Sequence, residues 1–293
     1  MGKASKRRTV RSTDTLSAPA PFVSRPFQGL PSETDWVAMR ELLPAATAPI
    51  AFATGRAPEG APTAATVATV LPLAWPGLHR TGGGVFVATQ SGASSGDASR
   101  DLAAALLLAA AADEGVPIAM VPIPTADSPR LQDLIDLDVP FEVTVHDGFQ
   151  FWVGDAELDA DGQESLERAN ESVIPTLRVE GVTSAYWCVI NGRSYVRWVL
   201  PHDEDLATDA LSRVTASDDS ALVEGARLLG AFRTSGLIVP VWEVPSDHAA
   251  TDFGEATAAM GRRLDAALAH PDPLDAAERR ARAGLLNRQV TLR

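Results

Sequence analysis

One order of elements is written twice along this chain, and a doubled order restricts the fold to two lobes of similar build. In the first pass a short helix spans Glu33–Leu43 and is halted by Pro44. Strand-like runs follow at Pro49–Ala53, Ala64–Leu71 and Gly84–Thr89, then an Ala/Leu helix at Ala98–Asp113 and a strand at Pro117–Ile123. In the second pass a helix spans Gln163–Val173, halted by Pro175, with strands at Leu177–Glu180, Val182–Ile190 and Ser194–Leu200. A helical stretch then leads into the strand Leu237–Val244. LAAALLLAAAADEGVPIAMVPIP lies against ALVEGARLLGAFRTSGLIVPVWEVP, which makes Ala98–Asp113 and Ala221–Arg233 the expected equivalents. The expectation is an α+β protein of two similar lobes, each helix, three-strand meander, helix, strand, with mixed or mostly antiparallel sheets and a helical C-terminus. The divisions fall at 1–25 (a basic tail without order), 26–139 (first lobe), 140–153 (a bridging β-hairpin), 154–250 (second lobe) and 251–293 (C-terminal helices).

Local signals sharpen this outline. Ser32 followed by Asp35 is a capping-box-like helix start, and Trp36, Met39, Leu42 and Leu43 then share one helical face. Asn191-Gly192 between two alternating apolar runs is the strongest hairpin signal, and Asp147-Gly148 between FEVTVH and FQFWV is a second. The glycines at 82–84 predict a turn between Leu71 and the strand Val85–Thr89. The helix at 98–113 is apolar on every side, as a helix buried between layers is. Asp252 with Glu255 starts another helix, which ends near His270. Asp272-Pro273 predicts the start of the last one, which is arginine-rich and expected on the surface.

Charge divides the chain unevenly. Both lysines, Lys3 and Lys6, stand in the first eleven residues with Arg7, Arg8 and Arg11, and no acid lies among them. Removing these five from the 25 basic residues leaves 20 against 38 acidic ones, a net of −18 for the rest. Such a body repels nucleic acid while the tail attracts it, so weak, salt-sensitive contact of Lys3, Lys6, Arg7, Arg8 and Arg11 with RNA, DNA, a ribosome or an acidic protein is one expectation. The longest apolar run, Leu102–Ala112, is shorter than the ~20 residues of a membrane span, and no membrane contact is expected. The basic start lacks the apolar stretch of a secretory signal. The single cysteine, Cys188, forbids an internal disulfide and a multi-thiolate zinc site, fits a reducing cytoplasm, and reads as a small buried apolar residue.

Catalytic chemistry has one candidate. Gly92-Ala93-Ser94-Ser95-Gly96 matches the G-x-S-x-G elbow, with a strand before it and an apolar helix after it, which would make Ser94 a hydrolase nucleophile. QSGASSGDAS is of low complexity, however, and matches such a pattern readily by chance. Partners for Ser94 would come from Asp203, Asp205 or Asp218 and His202, His248 or His270, with no spacing that selects among them. The same loop at a helix start has the chemistry of an anion cradle, without the lysine of a P-loop. His79, His146, His202, His248 and His270 lack metal-ligand spacing, and His202 with Asp203 and Asp205 reads as an acidic turn before a helix. The tryptophans at 36, 75, 152, 187, 198 and 242 read as core, although Trp187 and Trp198 flank one hairpin and have the placement to line a groove. No metal site and no cofactor is expected.

PFQGLPSETDWVAMRELLPAATAPI, FEVTVHDGFQFWV and the ending ERRARAGLLNRQVTLR resemble a family of actinobacterial proteins built on a domain of unknown function, over nearly the whole chain from Pro26. The resemblance implies an actinobacterial host and a cytoplasmic setting, and transfers no catalytic residue. The element order of each half also looks like the α+β fold of small secretion-chaperone-like domains. The expected function is a non-enzymatic binding or regulatory module that meets a protein partner at the surface between its lobes. The alternatives are a serine hydrolase of α/β-hydrolase type using Ser94, and a ribosome- or nucleic-acid-associated factor acting through the tail.

Overall fold

The computed structural model describes residues 18–287 apart from 83, 92, 93, 155 and 156. Lys3, Lys6, Arg7, Arg8 and Arg11 lie outside the described residues, as do Gly92 and Ala93 of the serine motif. Order starts earlier than Pro26: the Ala126 amide donates to Ala18 O, and the Val23 amide to Gly96 O.

Two sheets, mostly antiparallel, share a helix. The first helix, α1, spans Glu33–Glu41. It begins where Ser32 predicts, but Ser32 sits at φ 53 and its side chain caps nothing. Thr34 through Met39 are all buried, because both flanks of the helix are covered and not one face only. Strand β1 (Ala46–Ala51) pairs antiparallel with β2 (Ala64–Ala68). Strands β3 (Gly77–Arg80) and β4 (Gly84–Ala88) form a hairpin whose second strand joins β2 in parallel. The chain therefore enters β4 from β3, a strand too short for the sequence pattern to show, and not directly from Leu71. Helix α2 (Ala98–Ala111) crosses the inner face of this sheet. Gly77 makes that crossing close, since a Cβ there would stand 3.0 Å from the Ala109 methyl. Strand β5 (Pro117–Ile118), helix α3 (Leu131–Leu134) and strand β6 (Thr144–Val145) complete the first half, with order β5-β3-β4-β2-β1-β6.

Helix α4 (Ala160–Glu171) opens the second half. Strands β7 (Thr176–Arg178), β8 (Ala185–Ile190) and β9 (Arg193–Trp198) form an antiparallel meander. Asn191 and Gly192 make its second turn at φ 51 and 74, the left-handed pair that a two-residue hairpin requires. Helix α5 (Glu204–Ala216) precedes the hairpin β10 (Arg227–Thr234) and β11 (Leu237–Val244), and the order is β10-β11-β9-β8-β7. Helices α6 (Gly254–Leu268) and α7 (Ala276–Asn287) end the described chain.

Three expectations change. Residues 221–233 are not a helix equivalent to α2, because Arg227–Thr234 is strand β10 and the second-half helix is α5. Strand order differs between halves as well, so connectivity does not carry the doubling that the sequence predicts. FQFWV forms no hairpin partner: β6 pairs with β1, and Gln150–Trp152 is a 3-10 turn. Three aromatic rings on this stretch, Phe149, Phe151 and Trp152, gain more from packing together than an isolated two-strand ribbon would gain. Helix α7 starts three residues later than Pro273, where Asp275 Oδ1 accepts from the Ala277 and Glu278 amides. It docks onto α5 through Arg282, which reaches Asp209 and Asp205 at 2.6 and 2.7 Å, and it buries Leu285.

Period-two alternation tells which side of the second sheet faces what. Ala185, Val196, Trp198, Ile238, Trp242 and Val244 pack under α5 and α6. Tyr186, Leu237 and Val239 point the other way, into the core that holds α1, β1, β2, β4 and α2. Trp36 is stacked between Phe27 and Phe141, with centroids 5.9 and 4.0 Å away. Each such pair adds about 0.5–1.5 kcal/mol beyond buried area. A polar knot lies within this core. Asp35 Oδ1 accepts from Ser184 Oγ at 2.6 Å, Tyr186 Oη at 2.9 Å and Arg178 Nη2 at 3.1 Å. Burial pushes the Tyr186 phenol far above its usual range, with the Asp35 charge adding to the effect. Nearby, Arg197 Nη2 donates to Leu42 O, an open carbonyl at the end of α1. Cys188 is buried on the same sheet, and burial raises its thiol pKa.

Candidate functional site

The outer face of the first sheet is only partly covered. Leu78 and Arg80 of β3 and Phe86 of β4 point away from α2, joined by Leu71 and Trp75 from the connection between β2 and β3. The 149–152 turn covers one end. Phe149 stacks on Trp152 at 4.3 Å, and Trp152 Nε1 donates to Val70 O at 2.9 Å, which fixes the indole against the sheet. Helix α4 passes over the remainder but buries none of its residues. The reason is in its sequence. The side turned to the sheet presents Gly162 and Ser165 beside Leu158 and Leu166, so no large side chain fills the space. An open groove of about 880 Å³ results, floored by Trp75, Leu78 and Arg80 and walled by Trp152 and Val153. That volume and lining suit a ligand's apolar groups.

Two features show a groove held in shape. The first is backbone strain at its mouth. Leu73 and Ala74 both adopt left-handed conformations, at φ 54 and 55, without glycine to make this easy. Each costs about 1–2 kcal/mol, and the result holds Leu73 out to solvent, 85 % exposed. Strain of this kind gathers at functional surfaces. The second is Arg80. Its guanidinium lies 4.6 Å from the Phe86 ring centre, and Nη1 donates to Phe151 O at 3.0 Å. Gly154, at φ 61, gives it room, since a Cβ there would stand 3.0 Å from that nitrogen. Asp159 at the N-cap of α4, and Asp161, Glu164, Glu167 and Glu171 along it, are exposed against the one Arg168, and Glu114 stands at the Gly82 end. The groove is thus apolar inside, with Arg80 as its charged lining residue, while the acids of α4 stand exposed outside the lining.

The residues singled out by sequence fall elsewhere. Ser94 is exposed in the loop before α2, beside a crevice of only about 10 Å³. Asp101 lines that crevice, and no histidine stands among its described lining residues. The anion-cradle reading fails on occupied donors: the Ser95 amide points at both Asp101 oxygens at 3.1 Å, and the Ser99 amide donates to Asp97. Asp97 is fully buried with Arg100 and Arg130 at 3.2 and 3.0 Å, so protein carboxylates fill the place of a phosphate. Asp203 caps α5 through the Asp205 amide, and Asp205 pairs with Arg282, so both carboxylates are engaged in structural contacts. No cluster of three metal-ligating side chains is present among the described residues. No described helix is long and apolar enough to cross a membrane. Trp75 and Trp152, expected in the core, pack partly buried on the small cluster of the outer face and also line the groove. The missed signal was Gly162 and Ser165, small residues on an otherwise amphipathic helix.

Fold and groove together define an α+β protein of two sheets bridged by a shared helix, with an open apolar site beside the first. The chain belongs to a family of unknown function (DUF5926), whose family model matches residues 26–293. Neither the curated proteins nor the solved structures hold a match to it.

Proposed function

We propose that this protein is a non-enzymatic binding or regulatory module of the cytoplasm, and that it takes an apolar segment of a protein partner in the groove under α4. The groove itself carries this reading: about 880 Å³ of apolar space held open by strained backbone. The exposed acids of α4, beside the groove, set the charge expected of a partner that extends past it. A segment with leucine-like anchors and flanking lysine or arginine gains apolar burial inside and attraction outside, as an amphipathic helix does in a groove. A labelled leucine/lysine amphipathic peptide tests it by fluorescence anisotropy. The expected Kd is about 1–100 μM, at least tenfold weaker for a leucine/glutamate peptide and for Ser165→Trp, which fills the groove from an exposed helix position. Equal binding of both peptides, or binding unchanged by Ser165→Trp, refutes the proposal.

A further inference from the structure

A second, smaller cavity lies on the far side of the molecule, between the end of β9, α5 and α6. It encloses about 300 Å³. Trp198, Leu200 and Leu264 make an apolar floor, with the indole fixed by its Nε1 donating to Thr183 O at 2.9 Å. His202, Arg262 and Asp265 stand at the rim.

Two observations mark this as a built site. The first is Gly261, in the middle of α6. Glycine inside a helix costs about 1 kcal/mol relative to alanine. Here the backbone does not ask for it: the residue is helical, and a Cβ would meet only Trp198 Cη2, at an ordinary 3.5 Å. What the missing side chain does is leave the Trp198 ring open to the cavity. The second is the state of the rim charges. Arg263, next in sequence, is engaged by Asp219 at 2.7 Å, and Arg282 of α7 by Asp205 and Asp209. Arg262, Asp265 and His202, by contrast, make no side-chain hydrogen bond or ion pair among the described residues. Arg262 and Asp265 are three residues apart on one helix face, about 5–6 Å between Cβ atoms, yet they do not pair with each other.

We infer that this cavity binds a free apolar α-amino acid. The side chain lies on Trp198, Leu200 and Leu264. The carboxylate takes the Arg262 guanidinium, with His202 on the same rim, and the ammonium takes Asp265. An α-amino acid carries its two charges on groups bonded to one carbon, which suits opposite charges set one helical turn apart on the rim of one cavity. Charge-assisted bonds to each end supply the selectivity, and the cavity size limits the side chain to about that of leucine or phenylalanine.

Calorimetric titration of the full chain with phenylalanine, phenylalaninamide and N-acetylphenylalanine tests this. Saturable phenylalanine binding is expected, with each blocked analogue about tenfold weaker, the loss of one charge-assisted contact. Arg262→Gln should abolish discrimination against the amide, and Asp265→Asn discrimination against the acetylated form. Both positions are exposed, so these variants keep the fold. Gly261→Leu should remove binding altogether. No saturable binding up to about 10 mM, equal binding of all three compounds, or discrimination that survives both rim variants overturns the inference. None of these results bears on the groove under α4, which the peptide experiment tests separately.

Discussion

Asp35→Ala is expected to lower stability by about 2–4 kcal/mol. Its carboxylate ties α1 to the second sheet through three donors, and their fates differ when it is removed. Ser184 Oγ keeps Thr34 Oγ1 at 2.7 Å. Arg178, 28 % exposed, turns to water. Tyr186 is fully buried; its oxygen still accepts from Arg178 Nη2 at 3.2 Å, but its proton has no other acceptor. A buried hydroxyl donor left without an acceptor costs about 1–3 kcal/mol, and the charge-assisted character of the other two bonds adds roughly 1 kcal/mol. Tyr186→Phe alone deletes one donor and leaves the carboxylate with two, a loss of about 1 kcal/mol. Since the stranded phenol makes up most of the Asp35→Ala loss, the double variant should fall short of the sum by about 1 kcal/mol or more. Urea unfolding followed by far-UV and near-UV circular dichroism measures all four proteins. A loss below about 0.5 kcal/mol for Asp35→Ala, or strictly additive losses, would show that the knot is not what joins helix and sheet.

Ala74→Gly should stabilise the fold by about 0.5–1 kcal/mol in a thermal melt, because glycine accepts the left-handed conformation that alanine is held in. The same change should weaken the leucine/lysine peptide, since the loop that sets Leu73 at the groove mouth is then less constrained. His146, whose Nε2 lies 2.8 Å from Thr47 Oγ1, titrates below its usual pH in the folded chain because burial disfavours the imidazolium. The unfolded chain then binds more protons between that lowered pKa and about 6.5, so His146 contributes stability above pH 6.5 that is lost on acidification. His146→Gln should flatten the fall in stability between about pH 7.5 and 5.5; an identical pH profile for the two proteins would assign the fall to other groups.

Helices and hairpins whose signals are local could be read from the residues. Asn191-Gly192 placed its turn because two left-handed residues in succession are rarely compatible with anything else. The apolar run at 98–111 was recognisable as a helix under cover. What could not be read were elements that exist only by pairing. β3, of four residues, carries too little pattern to stand out and is defined by β4, and of the strand expected over Pro117–Ile123 only Pro117–Ile118 forms, where it pairs with β3. Arg227–Thr234 resembled the helix 98–113 because alanine and leucine suit either state, and its pairing with β11 settles the matter. Asp35 looked like a capping residue and is spent on Tyr186, 151 positions away, a partner that spacing rules do not reach. The groove was hidden for a related reason: it is a space left by Gly162 and Ser165, and an absence of bulk leaves little mark on hydrophobic periodicity.

The helix shared by the two sheets has a consequence for synthesis. Tyr186, Leu237 and Val239, which close one flank of α1, leave the ribosome long after it does. At about 5–20 residues per second, the gap between Asp35 and Val239 lasts roughly ten to forty seconds. Throughout that interval a nascent chain carries an apolar surface that its own later segments have yet to cover. Such a polypeptide should gain from chaperone shelter while it is made, and cutting it at the link between the sheets should yield two insoluble fragments in place of two working halves.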